Sequence, residues 1–168
     1  MKKPDWFERK FEFGISAGML PFFVERLEGT IARLEKKVQG QPDRILSYQP
    51  QGKWSIKQHI GHLAEVDEIA LRRIDEMING ISPMKPAVFE PRQDYNHQPV
   101  DKVLEYFTKN RIRNLKKYKS LPEADCTKVS LHPRLKMMMN PVDLAFFDAE
   151  HDDHHLVKIR EIQEVFRH

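Results

Sequence analysis

The sequence predicts an all-α fold, a bundle of four helices of similar length, and three observations lead there. Four segments of roughly 20 to 25 residues carry apolar side chains at steps of three and four. Recognisable start and stop residues bracket each of them. Short alternating β-branched runs are absent, and only 87–89 and 127–131 read as brief extended pieces. With 168 residues, 40% hydrophobic and 32% charged, the chain suffices for one domain over 1–168 with a substantial core.

The first helix is expected from about Ser16 to Gln39, where Leu20, Val24, Leu27, Ile31, Leu34 and Val38 form a seam and Gly40 stops it. Ser55 with Gln58 three residues later opens the second as a capping box, with Trp54 before it as a hydrophobic staple. That helix continues through Ile60, Leu63, Ala70, Ile74 and Ile78 to Asn79-Gly80. Pro83, Pro86, Pro91 and Pro99 then impose a long ordered connection. The third helix, with Pro99 in its first turn, buries Val100, Leu104, Phe107, Leu115 and Tyr118 and exposes Lys109, Arg113, Lys116 and Lys117, ending at Leu121-Pro122. A second irregular stretch carries Cys126 and His132-Pro133. Asn140 as N-cap and Pro141 at the first helical position open the fourth helix, which runs nearly to the C-terminus. Long connections between helices 2 and 3 and helices 3 and 4 fit an up-down bundle or a crossover variant of it.

Composition removes several classes of function. The 28 basic and 25 acidic residues leave a net charge of +3, far from a polyanion-coating stripe. Lys109, Arg111, Arg113, Lys116, Lys117 and Lys119 spread around the third helix without interleaved aromatics, so they read as a solvated helix end suited to its C-terminal dipole, not as a nucleic-acid platform. No apolar run of about 18 residues exists, so no membrane span is expected. Lys2 and Lys3 before the apolar stretch 15–24 faintly resemble a secretory signal. Asp5, Glu8, Glu12 and Pro21, and the lack of a small-residue cleavage site, argue against it. The lone Cys126 excludes an internal disulfide and a cysteine-rich zinc site, and points to the cytoplasm. It reads as a packed thiol, with no basic cluster beside it.

Five of the eight histidines fall in two short stretches, His59 and His62, and His151, His154 and His155. On the fourth helix the inward stripe is Leu144, Phe147, His151, His155, Ile159, Ile162 and Phe166, so two histidines stand on the core face one turn apart. His154 lies about 100° around the helix from His155, on the flank or surface. On the second helix His62 leads to Val66 and Ile69 and looks inward, with His59 as the other candidate. Asp67 shares the inward stripe and needs a partner, a ligand imidazole being one such partner. A single histidine on an apolar face is commonly a core residue with one hydrogen bond. Two neutral imidazoles side by side need partners that an apolar face does not offer, which favours a metal. A divalent ion on three imidazoles with water in the remaining positions is an open site of the catalytic type, and zinc or nickel suits nitrogen ligands. The rival His-Glu-x-x-His pattern of zinc peptidases would need a glutamate where Asp152 stands, and no third ligand follows at a recognised spacing.

The run from Trp54 through Ser55, Gln58, His59 and His62 to Ala64 resembles the second-helix signature of the DinB/YfiT-like metalloprotein superfamily. His151-Asp152-Asp153-His154-His155-Leu156 resembles its last bundle helix, with the loop at Leu131-His132-Pro133 before it. The resemblance extends from the Trp6-Phe7 segment to the end of the chain. It implies an up-down-down-up four-helix bundle, often a homodimer, holding one divalent metal ion through His62, His151 and His155. Relatives in that superfamily include transferases that use the low-molecular-weight thiols bacillithiol, mycothiol or glutathione, and a maleylpyruvate isomerase. The expectation is therefore a metal-dependent enzyme with a small-molecule substrate and a thiol cosubstrate. A hydrolase in which the ion activates water, or a metal-stabilised binding module without activity, are the alternatives.

Overall fold

The computed structural model describes residues 3–88 and 90–166. Its four long helices are α1 (Leu20–Val38), α2 (Ile56–Ile78), α3 (Val100–Lys119) and α4 (Pro141–Glu164). At 1.5 Å per residue they are about 29 to 36 Å long, matched as bundle partners must be. The capping box at Ser55/Gln58 is formed, and Asn140 caps α4 reciprocally with Asp143. Pro99 takes the N-cap position of α3 instead of entering its first turn. A 3₁₀ turn over Ala17–Met19 leads into α1. The expected extended piece at 127–131 shortens to β1 (Ser130–Leu131), paired antiparallel with β2 (Met138–Met139) in the register Ser130↔Met139. Ala87 and Val88 are not in a strand, and Phe89 lies outside the described residues.

The direction of each helix follows from its side-chain partners. Arg26 and Arg33 of α1 pair with Asp153 of α4 at 2.6 Å, and further along Gln163 donates to the Lys37 carbonyl at 2.6 Å, so α1 and α4 run parallel. Asn110 of α3 donates to the Ala64 carbonyl at 3.2 Å and Lys117 pairs with Asp75 at 2.6 Å, so α2 and α3 are parallel too. Leu20 and Val24 share a core with Leu115 and Tyr118 at the far end of α3, and His59 near the start of α2 meets His155 near the end of α4. The topology is up-down-down-up.

The apolar seams do not form one continuous core. One cluster gathers Leu20, Val24, Ala70, Ile74, Leu115, Tyr118 and Leu144, and a second gathers Leu34, Ile60, Val103, Phe107, Leu156 and Ile159. Between them lies a buried polar layer drawn from every helix: Thr30, Asp67, Asn110, Arg111, Asn114 and Asp152. Arg111 therefore does not belong to a solvated helix end. It is 1% exposed, and Val100 and Leu104, expected inside, are only half-buried while Val103 fills the core. Its Nε donates to Asp67 at 2.9 and 3.0 Å, while Nη1 and Nη2 reach Asp152 at 2.5 and 3.0 Å. Nη1 also donates to the Leu27 carbonyl at 2.9 Å, Asn114 donates to Asp67 at 2.8 Å, and Thr30 donates to Asp152 at 2.7 Å.

In the connection between α2 and α3, Met84 and Tyr95 are fully buried and tie their parts of it to the bundle. Tyr95 lies on α2 at Gly61, where a Cβ would meet its ring carbons at 2.3 to 2.5 Å. Its hydroxyl donates to Glu65 Oε1 at 2.6 Å, which holds the ring in place. Gly61→Ala is accordingly expected to destabilise the protein by about 1–3 kcal/mol, the ordinary cost of overpacking, seen as a lower urea midpoint with an unchanged slope.

Candidate metal centre

The polar layer lies beside the histidines. His62 on α2 and His151 and His155 on α4 are 3%, 9% and 4% exposed, and each offers a ring nitrogen within 4.8 Å of the others. The i, i+4 spacing brings the two α4 imidazoles edge to face, their planes at 83°, with Nε2 facing Nε2 at 3.0 Å. His62 faces both, its ring centre 5.2 Å from that of His151 and 4.8 Å from that of His155. Each of these imidazoles is where the helical periodicity places it. His59 adds a fourth ring: its Nδ1 lies 2.7 Å from His155 Nδ1. His154 is half-buried on the flank, its ring 5.4 Å from Trp6.

Hydrogen-bond accounting tests whether these residues suit a metal. Neutral imidazole carries one N–H and one lone pair. In the row His59–His155–His151 both nitrogens of His155 face another imidazole nitrogen, and the row ends at His151 Nδ1, which is buried without a hydrogen-bond partner. Among the described residues His151 Nδ1 keeps no partner whichever tautomers are chosen, and an ion on Nε2 would not supply one, so what suits a metal here is the convergence of His62, His151 and His155 and not the orphaned nitrogen. His151 and His155, with Nε2 atoms 3.0 Å apart and His62 facing both rings, would together hold one divalent ion through imidazole nitrogens. Were His155 to hold an ion through Nε2, its proton would sit on Nδ1, 2.7 Å from His59 Nδ1, which would accept it. Such an outer hydrogen bond orients a ligand ring.

Burial also keeps these rings in the ligand form. Burial, then the neighbouring imidazoles, pushes His151 and His155 well below the ordinary histidine range. Burial lowers His59 to about 3, His132 to about 3 and His154 to about 4. An unfolded histidine takes up a proton near pH 6.5, whereas these rings in the folded state do not, so the unfolded state gains on acidification. Asp67, pushed up by burial to about 6 against the pull of Arg111, and Asp148, raised well above the carboxylate range, work in the opposite sense. Five histidines outweigh two carboxyls. The metal-free protein is expected to lose stability as pH falls from about 6.5 towards 4, each fully depressed histidine contributing up to about 1.4 kcal/mol per pH unit. Urea unfolding at pH 7.5 and pH 5 measures this, and equal stabilities would contradict it.

Asp67 does not orient a ligand imidazole; its carboxylate is committed to Arg111 and Asn114. Trp54 is both staple and wall, its ring centre 5.6 Å from His59 and 4.7 Å from His62. The sequence reading did not foresee Trp6, buried with its ring 4.9 Å from His151 and 5.2 Å from Phe147. The amides of Gly14 and Ile15 anchor that N-terminal arm by donating to Asp143 Oδ1 at 2.9 Å, and Arg9 pairs with Glu150. The aromatic run Trp6, Phe7, Phe11, Phe13 was the signal of an arm with something to cover. His132 is likewise unforeseen as a site residue, buried and lining the same space.

Together these residues enclose a cavity of about 390 Å³ with the three histidines on its wall and Trp6, Trp54 and Phe147 around it. The model of the DinB superfamily matches residues 26–159, most of the chain and all three histidines. The chain belongs to the DinB superfamily. Among solved structures, YfiT from Bacillus subtilis, described as a probable metal-dependent hydrolase with an unusual four-helix bundle topology, superposes with a TM-score of 0.81 at 18% identity. The match covers 94% of this chain and 93% of that one, and it shows that this DinB member shares the YfiT fold. No curated protein sequence matches the chain significantly. Within that fold the polar layer holds α2 and α4 at the height where His62 meets His151 and His155. Among the described residues no helix is long and apolar enough to cross a membrane.

Proposed function

We propose that this DinB-superfamily protein is a divalent-metal-dependent enzyme acting on small molecules, with His62, His151 and His155 as ligands of one zinc or nickel ion, and that its reaction is transfer of a low-molecular-weight thiol. The observation that carries the reading is the convergence of three buried imidazoles at the wall of a small-molecule-sized cavity. When bound, the ion supplies Lewis acidity that lowers the pKa of a thiol in one of its remaining positions. The chain's own residues do the rest. His59, with Nδ1 2.7 Å from His155 Nδ1, would hold His155 in the tautomer that leaves Nε2 free, and Trp6 and Trp54 shield the imidazoles from bulk water.

The carboxylates around the cavity favour thiol transfer over hydrolysis. Water attack gains from a charged general base beside the ion. Among the described residues, Asp67 and Asp152 are locked on Arg111 outside the cavity lining, burial pushes Asp148 well above the carboxylate range, and Glu90 is exposed at the mouth. A thiol needs no such base once its pKa falls below the surrounding pH. Cys126 is not the nucleophile: it is buried outside the cavity, and burial pushes its thiol up. The description of YfiT keeps hydrolysis as the second reading. With metal-loaded protein, transfer predicts that chlorodinitrobenzene is turned over only when a thiol such as glutathione or cysteine is added, forming an S–C bond as chloride leaves and the thiol proton passes to solvent. Turnover of a nitrophenyl ester without thiol, and none of the thiol-dependent reaction, would establish hydrolysis instead.

A further inference from the structure

The cavity has a second polar end, on the side of His132, Arg73 and Arg134. His132 stands in the loop between β1 and β2 and is 1% exposed. Its Nδ1 accepts the backbone amides of Leu135 at 3.0 Å and Arg134 at 3.3 Å, which closes the turn and fixes the tautomer. The ring proton is therefore on Nε2. That N–H is buried and has no hydrogen-bond acceptor among the described residues, although the residue borders the cavity. A buried donor left without an acceptor is costly, and a ligand oxygen would recover that cost.

The surrounding charge says what kind of oxygen. Arg73, 4% exposed on α2, and Arg134, exposed beside His132, border the same space, with Lys158 further along the wall. Glu76 accepts the Lys85 amide at 3.1 Å and pairs with Arg72 at 3.4 Å, Glu90 is exposed, and burial pushes the Asp148 carboxyl well above the carboxylate range, which weakens its repulsion of an anion. Guanidinium groups beside an N–H donor form a site for a planar carboxylate, which accepts from several donors at once.

We propose that this end of the cavity is a carboxylate-binding subsite: the Nε2–H of His132 and the guanidinium groups of Arg73 and Arg134 receive the anionic group of a small-molecule ligand, whose remainder lies along the aromatic wall towards His62, His151 and His155. The inference rests on the small-molecule reading above but not on the metal, and it makes the substrate or its thiol partner an acid. Apolar walls of Trp6, Phe147, Val66 and Ile69 between the two ends suit a short carbon chain.

The test uses butyrate and its uncharged analogue butyramide. Both tryptophans of the chain border the cavity, so their fluorescence reports its occupancy. Butyrate is expected to bind saturably and at least about tenfold more tightly than butyramide, in metal-free as well as metal-loaded protein. Arg134→Gln, on an exposed side chain, should bring butyrate down to the level of butyramide. His132→Asn, which keeps an acceptor for the turn amides and removes Nε2–H, should weaken butyrate and leave butyramide unchanged. Equal binding of the two probes, or no saturable butyrate binding, would overturn the subsite. A butyrate preference found only with metal present and surviving both substitutions would also overturn it, by placing the carboxylate on the ion. Failure of the metal reading leaves the metal-free titration standing, so the two failures are separable.

Discussion

Arg111→Met is expected to be the most destabilising single substitution in the bundle, costing about 3–5 kcal/mol. The guanidinium lies between two carboxylates that are, like it, at most 2% exposed, and its N–H groups also reach the Leu27 carbonyl. Methionine fills a similar volume but leaves Asp67 and Asp152 buried with only Asn114 and Thr30 as donors. The loss is a large part of a typical stability of about 5–15 kcal/mol and corresponds to a melting temperature lower by roughly 6–20 °C. Acid should relieve it, because protonated carboxyls no longer need the cation; the deficit relative to the parent should be smaller at pH 5 than at pH 8. Replacing all three charged groups with apolar residues of similar volume should recover most of the stability. A cost below about 1 kcal/mol, independent of pH, would show that the network is not what joins the four helices at this level.

The network also shows where sequence reading reached its limit. The capping boxes at Ser55 and Asn140 and the stripe through His151 and His155 depend on residues a few positions apart, and local periodicity exposed them. Arg111 has its partners 41 and 44 residues away, and on its own helix it is one cation among several. Only the packing of α2 and α4 onto α3 turns it from a surface charge into the centre of a buried layer. His59 was visible as a neighbour of His62, but its contact with His155 depends on the antiparallel register of α2 and α4. Trp6 and His132 reach the site from an arm and a loop that have no periodicity to read. The seams were foreseen as continuous stripes. Their division into two apolar clusters follows from the polar side chains at the middle of each helix, which pair with one another across the bundle.

His151→Ala is expected to abolish stoichiometric metal binding while leaving the fold intact. Loss of an outer hydrogen bond to a ligand already costs 10–100-fold in metal affinity, so loss of one ligand of three should cost on the order of a hundredfold or more. The substitution removes a buried ring whose Nδ1 has no partner, so the metal-free variant should be little less stable than the metal-free parent, and the added stability that zinc or nickel confers should disappear. Binding in the parent should weaken as pH falls, because each imidazole must be neutral to coordinate. The most direct measurement is metal analysis of protein purified without a histidine tag, side by side with His151→Ala. About one divalent ion per parent chain and little in the variant is the predicted result. A parent chain that holds no metal and gains no thermal stability from added zinc or nickel would contradict the account.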